Sequence, residues 1–229
     1  MHFSVFYAFA YTFLAYPDCL VGDGQKRLRP TWMSMTSTPQ WVDIPSSVAY
    51  RKHEAVDAFK WVYGANASGI TDGERVANTI LGCEAVAIRS CNEFEGEYLS
   101  LYEKLVGKPV VPVGFLPPEN PQREIITDDS WIEIFKWLDE QKPKSVVFPL
   151  NARYLVEKGL GVEVERSEDG SINRDCIAMA LRHAMVSEEG KILRERTSQA
   201  AMIFGNQKLH QDHYIGKLVH FLRNKRGNT

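Results

Sequence analysis

The sequence predicts an α/β protein built on parallel strands. Two short apolar runs, residues 85–88 and 110–113, are predicted to be buried strands, and residues 95–105 between them have the periodicity of a helix. A strand, a helix and a second strand in this order are typical of a parallel sheet, because a parallel pair needs a long crossover connection. The sequence contains no internal repeat that would indicate a solenoid.

The first predicted elements are a buried strand and a helix within residues 3–16, which are apolar and rich in aromatic side chains. This run is shorter than the roughly 20 residues that span a bilayer and has no positively charged leader. We therefore favour a strand and helix over a signal peptide and expect no membrane span. The rings of Phe6, Tyr7 and Phe9 could either fill a core or line a flat apolar pocket, and both interpretations stay open.

Proline residues divide the chain near residue 117. Residues 117–121 contain three prolines, too many for a helix or a strand, and side chains that can cap a new helix follow them. We predict a first domain over residues 1–116, a linker over residues 117–130 and a second domain over residues 131–229.

The second domain continues the alternation of strands and helices. Strands are predicted over residues 145–148 and 161–165, and helices over residues 151–158, 188–204 and 208–224. Asn173 can cap a further helix. Four apolar side chains of that helix fall on one face at helical spacing, namely Ile177, Leu181, Ala184 and Met185.

Composition excludes several classes of function. The net charge of -2 and the pI near 6.3 give no general attraction to phosphate, and basic residues are scattered along the chain, so we predict no nucleic-acid partner. The four cysteines form no CxxC pair and no zinc-finger spacing, which indicates a reduced chain in the cytoplasm. No specific protein partner is indicated.

The standard phosphate-loop, dinucleotide, metalloprotease and nucleophile-elbow motifs are absent from the sequence. His210 and His213 could share a helix face, but two imidazoles without further ligands are more typical of a solvated surface than of a metal site. Glu93, Glu95 and Glu97 could act as paired acids, although carboxylates at a helix start are explained by the helix dipole. We predict no metal and no cofactor.

Several segments, in order along the chain, resemble the plant family 1 UDP-glycosyltransferases. The most specific are SCNEFE at residues 90–95 and GKPVVPVG at residues 107–114. The others are residues 41–54, which end in PSSVAYRKHE, residues 137–141 with residues 145–148, and residues 151–162. The match is closest to the branch, with rhamnosyltransferase-like and glucosyltransferase-like members, that adds a sugar to a sugar already carried by a flavonoid, terpenoid or saponin.

The resemblance implies a GT-B architecture, in which two Rossmann-like domains face each other across a cleft, and both domains would be incomplete here. It implies an inverting transfer of a sugar from a UDP-sugar co-substrate, with a histidine and an aspartate removing the proton of the acceptor hydroxyl. It places the acceptor pocket at Phe6, Tyr7 and Phe9. It also implies that Leu218, Val219 and Leu222 are buried where the last helix packs on the first domain.

The sequence departs from the family pattern in two places. Met1 resembles a point inside the acceptor domain, so we expect the catalytic histidine and aspartate upstream of it, and no residue of this chain is assigned a catalytic role. The strand ending at Phe148 runs directly into Pro149, where the family has its phosphate loop and donor-binding box. We therefore expect a UDP-glycosyltransferase-like chain that is inactive by itself. The alternative is a non-catalytic remnant, or the product of an incorrectly joined gene, that binds at most an apolar acceptor or an intact relative.

Overall fold

The computed structural model describes residues 1–14, 16–21, 27–115, 152–166 and 171–226. The chain divides into two compact units. The first consists of Met1–Leu116 and Asn206–Thr229, and the second of Pro117–Gly205. The predicted linker, the predicted strand over residues 145–148 and the junction between Phe148 and Pro149 lie outside the described residues.

The first unit contains a three-stranded parallel sheet in the order β1-β2-β3, which confirms the predicted α/β class. The strands are β1 (His2–Ser4), β2 (Val86–Ile88) and β3 (Val110–Pro112). His2 pairs with Val86, and Val86 pairs in turn with Val110. The central strand has no exposed residue, as its run of apolar side chains predicts for a parallel strand covered on both faces.

Four helices of the first unit connect or cover these strands. They are α1 (Ala8–Leu14), α2 (Lys52–Tyr63), α3 (Asp72–Leu81) and α4 (Asn92–Val106). The Thr71 hydroxyl caps α3 by accepting the Glu74 N–H at 2.9 Å. Helix α4 ends where Gly107 adopts a φ of 63°, a left-handed conformation that favours glycine.

Aromatic side chains hold α1 against α4. The rings of Tyr11 and Tyr102 stack with centroids 5.2 Å apart, and Phe9 meets Tyr98 edge-on at 6.1 Å. All four side chains are at most 6% exposed. Much of the aromatic series near the start of the chain therefore fills the core.

The described part of the second unit is helical. It contains α5 (Ala152–Glu157), α6 (Arg174–Met185) and α7 (Lys191–Phe204). The predicted cap of α6 is confirmed, since the Asn173 side chain accepts the Cys176 N–H at 2.8 Å. Helix α7 begins three residues later than predicted.

One expectation for the second unit is wrong. Residues 161–166 form no strand; Glu163 instead faces the guanidinium of Arg153 at 3.8 Å. A strand needs a neighbour for its backbone groups, and the described residues of this unit supply none. In addition, no residue of α6 or α7 is buried, and Ile177 and Leu181 are both 41% exposed.

The chain returns to the first unit through its last segment. A π-helical stretch, Lys208–Tyr214, leads into α8 (Ile215–Arg226). None of the helices that the structure describes is both long and apolar enough to cross a lipid bilayer.

The π-helical stretch, rather than α8, buries the side chains that attach this segment. His210 and Tyr214 have no exposed surface, whereas Val219 and Leu222 are 38% and 42% exposed and Leu218 is partly exposed. The expectation that Leu218, Val219 and Leu222 are buried is therefore wrong. The reason is that this segment packs on the first unit through His210 and Tyr214, which lie one to three turns earlier.

The phenol of Tyr214 makes two hydrogen bonds at the start of α4. Its oxygen accepts the Asn92 N–H at 2.8 Å, and its hydroxyl donates to Glu93 Oε2 at 2.6 Å. Burial raises the pKa of Tyr214 and the bond to Glu93 raises it further, so the phenol remains a donor at neutral pH. One side chain thereby satisfies an unpaired N–H of α4 and fixes the last segment.

Lys108 joins the end of α3 to the start of β3. Its ammonium donates to the carbonyl oxygens of Ile80, Leu81 and Cys83 at 2.8, 2.7 and 2.5 Å. Carbonyls at a helix C-terminus have no partner within the helix and carry partial negative charge. A flexible cation that follows Gly107 therefore ties helix and strand together.

We predict that Lys108→Met lowers the free energy of unfolding by about 1–3 kcal/mol, because three carbonyls lose a charged donor. Urea denaturation followed by circular dichroism measures the change. Lys104→Met is the matched control: Lys104 is exposed on α4, and its loss should change stability by less than about 0.5 kcal/mol. Equal stability of the two variants would contradict the role given to Lys108.

We predict that Tyr214→Phe loosens the last segment, since it leaves the Asn92 N–H without its partner and removes the bond to Glu93. Amide hydrogen exchange over residues 206–226 should become at least several-fold faster, and unfolding should require about 1–3 kcal/mol less free energy. Tyr16→Phe is the control, because Tyr16 is 39% exposed. Unchanged exchange in Tyr214→Phe would show that the phenol does not hold this segment.

Candidate functional site

The loops that follow the three strands meet at one edge of the sheet. Residues 5–7 follow β1, residues 89–91 follow β2 and residues 113–115 follow β3. Backbone bonds continue beyond the strands, with the Arg89 N–H donating to Ser4 O at 3.0 Å and the Gly114 N–H to Ser90 O at 2.8 Å. In open parallel sheets this carboxyl edge is where ligands bind.

An aromatic cluster lies at this edge, and Tyr7 is at its centre. The Tyr7 ring stacks on Phe9 with centroids 5.8 Å apart and meets Phe94 and Phe115 edge-on at 5.7 and 6.2 Å. Phe94 and Phe115 are themselves 5.5 Å apart. Tyr7 keeps part of its surface exposed, whereas Phe9 is 6% exposed.

The three residues assigned to an acceptor pocket do not lie in one group. Tyr7 and Phe9 belong to the aromatic cluster. Phe6 is 51% exposed and meets the ring of Tyr11 edge-on at 6.1 Å. Phe6 therefore offers an accessible apolar ring, Tyr7 a partly covered one, and Phe9 mainly a packing surface beneath Tyr7.

The loop that carries Phe6 and Tyr7 is held at its start by Ser4. The Ser4 hydroxyl accepts the Phe6 N–H at 3.0 Å and donates to the Tyr11 hydroxyl at 2.7 Å. Ser4 is 2% exposed, so both bonds are shielded from water. The conformation of residues 5–7 is thus fixed by a side chain of the preceding strand.

The same loop is held at its end by Glu95. This carboxylate is fully buried and accepts the N–H groups of Ala8 and Phe9 at 2.9 and 3.1 Å. Glu95 reaches them because its own backbone departs from helical geometry inside α4, with φ -136° and ψ 36°. Glu95 therefore accepts N–H groups at the N-terminus of α1, although it belongs to α4.

Glu93 also has a specific partner. Burial acts to raise the pKa of Glu93, but the hydrogen bond from Tyr214 and bonds from its surroundings outweigh this, and the net pKa is lowered. Glu93 is therefore an ionised acceptor for Tyr214 at neutral pH. The interpretation of this carboxylate as only a helix-dipole partner missed that contact, which spans 121 positions of sequence.

His210 closes the far side of the aromatic cluster. Its ring meets Phe115 edge-on at 5.2 Å, and its Nδ1 accepts the Phe115 N–H at 3.4 Å. The interpretation of His210 as a solvated surface residue is wrong, since His210 has no exposed surface. His213 is exposed, as that interpretation predicts. Gly114 permits this close contact, because a Cβ at this position would lie only 3.0 Å from His210. The Gly114 φ of +75° also favours glycine.

The polar groups of β2's loop are unsuited to nucleophilic chemistry. Burial raises the pKa of the Cys91 thiol to about 12, so the reactive thiolate is scarce at neutral pH. The Ser90 hydroxyl is buried and has no hydrogen-bond partner in the part of the chain that the structure describes. Among the described residues, no group of three or more His, Cys, Asp or Glu side chains could hold a metal ion. What this edge offers a ligand is apolar, aromatic surface.

The buried side chain of Arg29 holds the segment that follows α1 in place. Arg29 is 2% exposed, its guanidinium lies 3.9 Å from the ring centre of Phe13 and 5.7 Å from that of Trp41, and it donates to Ser37 O at 2.8 Å. Burial lowers its pKa to about 10, so it stays charged at neutral pH. The sequence carries no motif that singles out this arginine.

No family model matches the chain. Curated relatives match it over most of its length. UDP-glycosyltransferase 91C1 of Arabidopsis thaliana is 26% identical over 323 residues, which cover 97% of this chain and 69% of the relative. Soyasaponin III rhamnosyltransferase of Glycine max is 22% identical, with 84% of this chain and 63% of the relative covered. Inactive UDP-glycosyltransferase 79A6 of Glycine max is 27% identical over 64% of this chain and 45% of the relative.

The alignment with the first relative leaves many positions of that relative unmatched. It runs over 323 residues, whereas 97% of the 229 residues of this chain is about 222, so about 100 positions of the relative face no residue here. Because nearly the whole chain takes part, these positions lie within the aligned span. The chain spans about two thirds of the length of the UDP-glycosyltransferases 91, between 63% and 69%.

Five of these relatives are named as UDP-glycosyltransferases of the same number, 91. The first matches nearly the whole chain, and the parallel sheet with its flanking helices is the fold that the resemblance implies. Over most of its length the chain is therefore similar to plant UDP-glycosyltransferases, as its motifs imply.

Proposed function

We propose that this chain binds an apolar, glycosylated small molecule at the carboxyl edge of its sheet and does not transfer a sugar by itself. The observation that carries the proposal is the aromatic cluster around Tyr7, at the edge where parallel sheets bind ligands. Aromatic walls with few polar groups suit the flat rings of a flavonoid or the apolar body of a terpenoid.

The geometry of the loop over residues 5–7 supports this binding role. Bonds from Ser4 and Glu95 fix the loop at both ends, so Phe6 and Tyr7 are held in position before a ligand arrives. A preorganised surface loses less conformational entropy on binding. In this proposal Phe6 and Tyr7 contact the acceptor, and Phe9 supports Tyr7 from below.

The unmatched positions of the first relative support the absence of transfer. The resemblance implies a donor-binding box between Phe148 and Pro149, and about 100 positions of UDP-glycosyltransferase 91C1 have no counterpart within this chain. Transfer requires the leaving diphosphate to be stabilised by positioned donors. In the proposal, residues 1–116 are the acceptor domain and residues 131–229 the remainder of a donor domain, in the cytoplasm, where four free cysteines are expected.

A working transferase is the second candidate. The observation that favours it is the coverage of 97% of this chain by a protein named as a UDP-glycosyltransferase. The two candidates agree on the acceptor and differ on the donor, so separate measurements of acceptor binding and UDP release distinguish them.

We predict that Tyr7→Ala weakens binding of a flavonol 3-O-glucoside about 3- to 10-fold, because stacked and edge-on aromatic contacts are lost. Quenching of intrinsic fluorescence measures the affinity. Phe6→Ala, at a half-exposed site, tests the same surface with less disturbance of the fold. Trp61→Ala is the control, since this aromatic side chain is 46% exposed on α2. Equal affinities in all four proteins would rule out the carboxyl edge as the binding site.

We predict that the purified chain releases no UDP above background from UDP-glucose or UDP-rhamnose when the flavonol glucoside is present. A coupled assay for UDP measures this, with an intact plant UDP-glycosyltransferase as the positive control. Release that depends on both donor and acceptor would favour the working transferase. Such a release would not contradict the proposed acceptor site, because binding at Tyr7 is measured separately.

A further inference from the structure

Arg89 places a cation at the carboxyl edge of the sheet, directly after β2. Its side chain reaches the loop that follows β3, where Nε donates to the Phe115 carbonyl oxygen at 2.7 Å. The Phe115 ring belongs to the aromatic cluster and meets Tyr7 edge-on at 6.2 Å. The guanidinium is therefore tied to the backbone beside the proposed acceptor surface, although Arg89 itself is exposed.

Most of the donors of this guanidinium are unused. Within the described part of the chain, its Nη1 and Nη2 groups have no hydrogen-bond partner and form no ion pair. Two carboxylates of the adjoining helix α4 have other partners, since Glu93 accepts the Tyr214 hydroxyl and Glu95 accepts N–H groups at the start of α1. An arginine whose Nε is fixed keeps two NH₂ groups with which it can hold a planar anion.

The hydroxyl of Tyr7 is a second donor at this edge. Tyr7 is partly exposed, and its hydroxyl has no hydrogen bond to any residue that the structure describes. Burial raises the pKa of Tyr7 and the charge of Glu95 raises it further, whereas the charge of Arg89 acts to lower it. The net pKa is raised, so the hydroxyl keeps its proton at neutral pH. The electrostatic influence of Arg89 on this hydroxyl places the two donors in one neighbourhood.

We propose that Arg89 and the Tyr7 hydroxyl bind a carboxylate of the ligand, so that the acceptor is an acidic glycoside. This inference rests on the acceptor surface proposed above and names the chemical class of its ligand. Both groups donate hydrogen bonds and one of them is a cation, so the pair favours an anionic group over a neutral one. A carboxylate has two oxygens in one plane, which the fork of a guanidinium matches. The carboxylate can belong to a uronic acid or to an acid esterified to the sugar.

A diphosphate suits this site less well than a carboxylate. The loops over residues 5–7, 89–91 and 113–115 contain no lysine or arginine besides Arg89. One cation balances the single charge of a carboxylate, whereas a diphosphate carries at least two charges. The aromatic rings beside Arg89 suit the flat, apolar body of a ligand that carries the carboxylate on its sugar.

A matched pair of ligands tests this inference. A flavonol 3-O-glucuronide differs from the 3-O-glucoside only in a carboxylate that replaces a hydroxymethyl group. The full chain should bind the glucuronide about 5- to 20-fold more tightly at neutral pH, a range between an exposed ion pair and a hydrogen-bonded charged pair. Fluorescence quenching measures both affinities. A flavonol malonylglucoside is the third ligand, and tighter binding of this ester alone would support the carboxylate site and assign it to an ester-linked acid.

Variants are compared by the ratio of the glucuronide and glucoside affinities. Loss of the bond to the Phe115 carbonyl would weaken both ligands alike, so a purely structural role of Arg89 would leave this ratio unchanged. Arg89→Gln should bring the ratio to within about twofold of one, and Tyr7→Phe, which keeps the ring, should lower it about 2- to 5-fold. Lys104→Gln is the matched control, because it removes the same charge from an exposed position in the last turn of α4 and should keep the ratio.

The outcomes separate this inference from the proposed function. Equal affinity of the unsubstituted chain for all three ligands would overturn the carboxylate site, while weaker binding by Tyr7→Ala would still support the acceptor surface. A preference for the acidic ligands that survives in Arg89→Gln, or that is lost equally in Lys104→Gln, would also overturn the inference. Absence of binding by all three ligands would overturn the acceptor surface and the carboxylate site together.

Discussion

The first unit depends on one constraint: β2 is paired along both of its edges. Its backbone groups are satisfied by β1 on one side and β3 on the other, and its three side chains are fully buried. Register along this strand therefore fixes where all three loops emerge at the carboxyl edge. The hydrogen bonds from the Arg89 N–H to Ser4 O and from the Gly114 N–H to Ser90 O extend the strand pairing by one or two residues. The geometry of the sheet therefore also sets where the loops begin.

Side chains rather than strands complete this edge. Glu95 binds the start of α1, and Tyr214 binds the start of α4, so each helix N-terminus is occupied by a group from a distant part of the sequence. Helix N-termini leave amide N–H groups without partners, and at a buried edge each unpartnered group is costly. These contacts keep α1, α4 and the last segment in a fixed arrangement around Tyr7. Of the side chains that make these contacts, Glu95 and Tyr214 are themselves fully buried.

The sequence predicts elements whose cause is local and misses contacts whose cause is distant. The strands at β2 and β3 and the cap at Asn173 follow from short patterns, and the structure contains them. Glu95 could not be assigned to α1, because its contact spans 87 positions and needs a non-helical backbone inside α4. His210 was expected on a solvated surface because nothing near it in sequence indicates burial. The available signal was Gly114, whose missing Cβ makes room for it.

The same distinction explains the strand predicted over residues 161–165. Its alternation is local, but a strand exists only if a neighbour pairs with it, and the described residues of the second unit form none. The helices α6 and α7 show the matching effect in their side chains, since Ile177, Leu181 and Ile192 are exposed and no residue of either helix is buried.

We propose that the absence from this chain of about 100 positions of UDP-glycosyltransferase 91C1 accounts for this difference between the two units. The junction predicted between Phe148 and Pro149 falls inside the second unit, Pro117–Gly205. The first unit, by contrast, draws on both ends of the chain, and its two parts pack together through His210 and Tyr214. A deletion at that junction would remove packing partners from the second unit and spare those of the first. On this proposal the chain keeps the aromatic edge that would hold an acceptor and lacks the segment that would hold the sugar donor.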